Sequence, residues 1–153
     1  MPFFSTIILK ILFIIIIGDN MRKYYLFQIR KEFYELYQNN TLALYKLLYN
    51  IYKLDKNNFS YGISLYNQLC ETINVSHLKN YFQNKKNIIN KKNKYLFSSN
   101  QYYEKTIMQI NHSSIIILTN VNIPCILKII NYYNKYIFIC DFNNSDYFWL
   151  KDR

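Results

Sequence analysis

Hydrophobic positions change their period several times along this 153-residue chain, and each change marks an element. KYYLFQI, Lys23 to Ile29, is aromatic or β-branched at nearly every position, the pattern of a strand in a covered sheet. The period then lengthens. In RKEFYELYQ, residues Phe33, Leu36 and Tyr37 fall at i, i+3 and i+4, a helical stripe. Thr41 is placed to cap a second helix whose inner face carries Leu44, Leu47, Leu48 and Ile51. A third helix is expected to start near Ser60 to Ser64 and to turn Leu65, Leu69 and Ile73 inward. Ser76 is placed to cap a fourth, in which Leu78, Tyr81 and Phe82 repeat the spacing.

The C-terminal half reads differently. KYLFSS, YYEKTIMQI and SSIIILT are short β-rich runs separated by polar pairs, which predicts a meander. Within it, Ile115 to Leu118 is the candidate for a fully buried strand. Asn122 with Pro124 predicts a helix start, because proline presets φ for the first turn, and Ile126, Leu127, Ile130 and Tyr133 then form its inward face. KYIFICDF is a last long strand, and YFWL follows a polar corner at Asn143 to Asp146. The expected fold class is α+β: a single domain, with helices from the N-terminal half covering a mostly antiparallel sheet from the second.

The first twenty residues, MPFFSTIILKILFIIIIGDN, break this pattern. Their apolar run is interrupted at Lys10 and falls short of the roughly 20 residues needed to cross a bilayer. As a signal peptide the segment lacks a basic start and a good small-residue cleavage site. Gly18-Asp19-Asn20 can be encoded GGA GAT AAT, a bacterial ribosome-binding sequence just upstream of the Met21 codon. The expectation is therefore a start at Met21, with residues 1–20 a non-native extension and 21–153 the domain. An uncleaved anchor ranks second and a signal peptide third.

Composition narrows the class. Two Gly and two Pro leave little room for linkers, while 17 Tyr and 11 Phe are far too sticky for a disordered chain. Ile, Asn, Lys, Tyr and Phe share AT-rich codons, so base composition accounts for part of the excess. The formal net charge is +10, which allows nucleic acid or an anionic surface as partner. Five lysines, however, crowd into Lys85–Lys94, which reads as a solvated connection, and arginine occurs only at Arg22, Arg30 and Arg153. Nucleic-acid binding through that lysine run is kept as the alternative, below protein binding. Cys70, Cys125 and Cys140 are odd in number and lack a CxxC pair, which argues against disulfides and zinc. Cys125 and Cys140 sit in apolar runs and are expected to be buried thiols, consistent with a cytoplasmic location.

Catalytic chemistry is sparse. His77 and His112 are the two histidines, and both are expected at the surface. Gly62 is the only glycine after Met21, so a glycine-rich phosphate loop is excluded, and no HExxH, P-loop or GxSxG motif occurs. Asp141, beside Cys140, is expected to close a turn. No enzyme, metal or cofactor is expected. What remains is a surface. Phe33, Tyr34, Leu36 and Tyr37 carry more apolar area than one helical stripe buries, so some of them face outward among Lys31, Glu32 and Glu35, as in a protein-binding hot spot.

YYLFQIRKEFYELY near the start, with IFICDFNNSDYFWL near the end, resembles the SirA family, the sporulation inhibitors of replication of spore-forming Firmicutes. The resemblance begins at Met21 and covers the two ends well, the middle only by length and pattern. It implies a small α/β protein that binds the N-terminal domain of the replication initiator DnaA and blocks its productive assembly at the origin. The family's contacting Phe and Tyr on the first helix fall here on Phe33 and Tyr37, with Tyr34 beside them; Leu36 is then left to anchor the helix on the sheet. FSYGISLYNQ is expected to flank the same surface. The KKNIINKK connection departs from the family pattern. No direct nucleic-acid contact is implied, and no membrane contact if Met21 is the start.

Overall fold

Alternation along the first strand sets the architecture. In β1 (Arg22–Ile29), Tyr24 and Leu26 belong to one buried cluster, while Phe27 and Ile29 belong to a second. Both faces of the strand are therefore covered. The computed structural model describes residues 21–54, 56–85, 88–91, 94–99, 103–111 and 114–153, so the expectations for residues 1–20 lie outside the described residues.

Four helices follow β1 within the N-terminal half: α1 (Lys31–Tyr37), α2 (Thr41–Tyr52), α3 (Phe59–Leu69) and α4 (Ser76–Gln83). A two-residue strand, β2 (Cys70–Glu71), separates α3 from α4. The second half supplies β3 (Ile88–Lys91), β4 (Lys94–Ser99), β5 (Glu104–Ile110) and β6 (Ile115–Thr119), then α5 (Ile126–Tyr133), β7 (Ile137–Asp141) and β8 (Asp146–Trp149). The sheet order is β3-β4-β5-β6-β1-β7-β8, with β2 added to β1, and every pairing among the described residues is antiparallel. The fold is α+β, as the alternating and helical periods predict.

The helices divide between the two faces of the sheet. Leu78 and Phe82 of α4 and Ile126, Leu127 and Ile130 of α5 pack on the face carrying Tyr24, Leu26, Ile137 and Ile139. Leu44, Tyr45 and Leu48 of α2 pack on the other, against Phe27, Phe138, Phe142 and Trp149, with Leu69 of α3 and the aromatic side of α1. All five residues of β7 are buried, as expected for a strand between two helical layers. The helical cover thus includes α5, from the C-terminal half, besides the four N-terminal helices.

Several local expectations need correction. Ile115 to Leu118 alternates: Ile115 and Ile117 are buried in the cluster with α4 and α5, whereas Ile116 and Leu118 are half-buried on the other side of β6, where Leu118 packs with Met21, Leu96 and Ile107. The Lys85–Lys94 stretch is not only a connection, since Ile88 to Lys91 form β3 and pair antiparallel with Lys94 to Phe97 of β4. Asn40, not Thr41, caps α2, its side chain accepting from Ala43 N at 3.4 Å. Ser76 is the first residue of α4, held by Asn74, whose Oδ1 accepts from its N and Oγ at 3.1 and 2.6 Å. Tyr133 lies at the exposed rim of α5, and Cys125 is exposed at that helix's start, where its N–H donates to the buried Glu104 carboxylate at 3.2 Å. Asp141 does close its turn. One carboxylate oxygen accepts from the N–H groups of Asn143 and Asn144, both at 3.2 Å.

Candidate protein-binding surface

Helix α1 has seven residues, too few to persist on its own propensity. Arg30 enters it in extended conformation without a side-chain cap, and a Lys31–Glu35 ion pair at 3.8 Å spans one turn on the solvent side. Its hold on the domain is aromatic packing. With about 100° of rotation per residue, Phe33, Tyr37 and Tyr34 occupy one continuous arc of about 100°. Leu36 falls about 60° outside that arc, on the Phe33 side.

The structure divides these four residues by role. Tyr34 is the anchor: its ring stacks on Tyr136 with centroids 4.4 Å apart and meets Trp149 edge-on at 4.9 Å. Its hydroxyl accepts from the Lys151 ammonium, and this hydrogen bond raises the lysine pKa. Phe33 and Tyr37 are half-buried, one flank against the second cluster and the other toward solvent. Leu36, expected to anchor the helix, is instead 66% exposed. The aromatics fill the inward arc, which leaves the leucine mostly in solvent. Leu36, Phe33 and Tyr37 are thus neighbours around the helix and form its apolar outer edge.

Helix α3, the FSYGISLYNQ segment, lies beside the start of α1. Arg30 N donates to Leu69 O at 3.0 Å, and Arg30 Nε to Asn67 O at 3.1 Å. The inner side of α3 is set by a close approach: a Cβ on Gly62 would meet Leu54 Cδ1 at 2.8 Å. One turn further, Tyr66 meets Phe27 edge-on at 6.1 Å. The outer side exposes Tyr61 and Ile63. Sequence reasoning did not single out either residue. The usable signal was Gly62 itself, which marks the tight side of the helix and turns its neighbours outward.

The remaining candidate chemistry resolves into packing. His77 is exposed and stacks on Tyr133, with centroids 5.2 Å apart and rings 2° from parallel; His112 lies outside the described residues. Among the described residues no group of His, Cys, Asp and Glu side chains is placed to hold a metal ion. Burial pushes the Cys70 thiol up to about 12 and raises that of Cys140 as well. Part of the Lys85–Lys94 run also falls outside the described residues. Among the described residues no helix is long and apolar enough to cross a membrane. In comparisons with known proteins, no family model and no curated protein matches the chain.

Proposed function

We propose that the protein is an inhibitor of chromosome replication that works by docking. Its α1 edge binds the N-terminal domain of DnaA and prevents productive assembly of the initiator at the origin, in the cytoplasm and during sporulation. The observation that carries this reading is the outer edge of α1. Phe33 and Tyr37, onto which the SirA resemblance maps the family's contacts, are half-exposed one helical turn apart, with Leu36 open beside them. An i, i+3, i+4 apolar edge on a helix that the domain holds rigid suits insertion into a groove of a partner. Tyr61 and Ile63 are further exposed apolar residues, on α3. No catalytic step is needed, since occupancy of the initiator's assembly surface suffices to inhibit.

The test is a pull-down of residues 21–153 against the host DnaA N-terminal domain across a salt series. The expected result is enrichment of that domain, only modestly weakened by salt, because an aromatic-centred interface owes little to counterion release. Absence of enrichment would overturn the reading. Steep salt dependence, with nucleic acid recovered in place of the initiator domain, would favour binding through the Lys85–Lys94 run instead.

A further inference from the structure

Behind α1, where the two helical layers meet at the β7–β8 edge of the sheet, lies a cavity of about 230 Å³. Its walls include Tyr34 of α1, Asn131 and Asn134 from α5 and the residue after it, and Tyr136, Trp149 and Lys151. Lys135 completes a second cationic wall, and among the described residues no aspartate or glutamate contributes to the lining. The lysines are on separate segments, one between α5 and β7, the other after β8.

Two features are unexplained by packing alone. Trp149 is 1% exposed, and its Nε1 is buried without a hydrogen-bond partner. A buried indole N–H normally finds an acceptor. Tyr136, another wall, holds φ at 60°, in the left-handed region that bulky side chains avoid. Its carbonyl accepts from Ile29 N at 2.9 Å, and its ring stacks on Tyr34. A non-glycine residue kept in that conformation by its surroundings is a feature that clusters at ligand sites. Asn134 spends one amide hydrogen on Ile130 O at 3.2 Å.

We infer that this cavity is a binding site for a phosphate group. Its lining residues include two lysines, two asparagines and Trp149, whose buried indole N–H has no partner, and the two positive charges match a dianion. Lysine is a compact point charge suited to phosphate, and the Lys151 ammonium keeps further donors after its bond to Tyr34. The volume admits a free phosphate or the phosphate end of a larger monoester. The site is separate from the outer edge of α1 and touches it only through Tyr34, so it stands or falls independently of the DnaA reading.

Trp149 is the only tryptophan in the chain, so its fluorescence reports on this cavity directly. The experiment titrates the full chain with sodium phosphate at constant ionic strength, balanced with sodium chloride. The expected result is a saturable change in tryptophan emission. Lys135→Gln and Lys151→Gln should each weaken binding about tenfold, the worth of one charge-assisted hydrogen bond. Lys79→Gln, on the exposed face of α4, should leave it unchanged. No saturable response overturns the inference. So does an equal response to sodium succinate, or equal affinity in both cavity-lysine variants when these melt at the wild-type temperature. If phosphate does bind, a titration with a phosphomonoester such as glycerol phosphate separates the two sources: tighter binding than inorganic phosphate identifies the ester.

Discussion

The rings of Tyr34 and Tyr136 stack with centroids 4.4 Å apart and planes 30° from parallel. This contact joins α1 to the turn that leads into β7. Tyr136 is in turn fastened to the end of β1 through its carbonyl. A seven-residue helix that would not persist alone is thereby held in one orientation, with its Phe33–Tyr37 edge outward.

The first prediction separates the anchor from the contact edge. Phe33→Ala and Tyr37→Ala are expected to melt close to wild type and to lose about 2 kcal/mol or more of binding to the DnaA N-terminal domain, roughly thirtyfold. Leu36→Ala should lose binding with little loss of stability, because its side chain is mostly exposed. Tyr34→Ala should show the opposite balance, costing about 2 kcal/mol of stability through its lost packing. Thermal melts paired with binding titrations check this. Unfolding of the Phe33 and Tyr37 variants would assign those rings to the core.

A second prediction concerns α2. Leu48 is 2% exposed and packed in the cluster beneath the aromatic residues of α1. Leu48→Ala is expected to cost about 2–5 kcal/mol through the cavity it leaves. Urea unfolding should show a lower midpoint, with the slope unchanged.

The third prediction tests a buried charge. Arg22 Nε donates to Asp141 Oδ2 at 3.1 Å, and the Asp141 side chain is fully buried. A second arm of the guanidinium reaches Asp146 at 2.9 Å. Arg22→Met removes the countercharge and should destabilise by about 3 kcal/mol. Asp141→Asn in that background should recover part of the loss, because a neutral amide tolerates the site better than a lone carboxylate. Additive losses in the double variant would show that the ion pair is not what Arg22 supplies.

Thiol chemistry gives the fourth. With Cys70 and Cys140 buried and Cys125 exposed, a native sample is expected to take up one equivalent of iodoacetamide, at Cys125. Reaction there should be slower than for a free thiol, since its hydrogen bond to Glu104 raises the pKa. The linkage follows from the same burial. Cys70 titrates near 9 when unfolded and at about 12 when folded, so its contribution to stability is complete below pH 9 and is lost as pH rises toward 12. Melting temperature should fall over that window, and less so in Cys70→Ala. Peptide mapping after labelling, and melts across alkaline pH, check the two parts.

Local periodicity was sufficient to place most elements in this chain. The strand at KYYLFQI, the stripe Leu44–Leu48 and the meander after Lys94 follow from side-chain spacing, which each residue carries with it. The polar turn at Asp141 was legible for the same reason, an aspartate binding the N–H groups of its own next residues. Which face of an element is covered depends on partners distant in sequence, and there the sequence alone fell short. Ile116 and Leu118 are as apolar as Ile115 and Ile117, yet only the latter pair lies under α4 and α5. Leu36 had the right spacing to be an anchor, but Tyr34 had already taken the place beside Tyr136 and Trp149, residues more than a hundred positions away. The cavity was invisible for the same reason. Its walls come from α1, the end of α5 and the C-terminal strand, and only the folded sheet edge brings Lys135, Lys151 and the indole of Trp149 around one space.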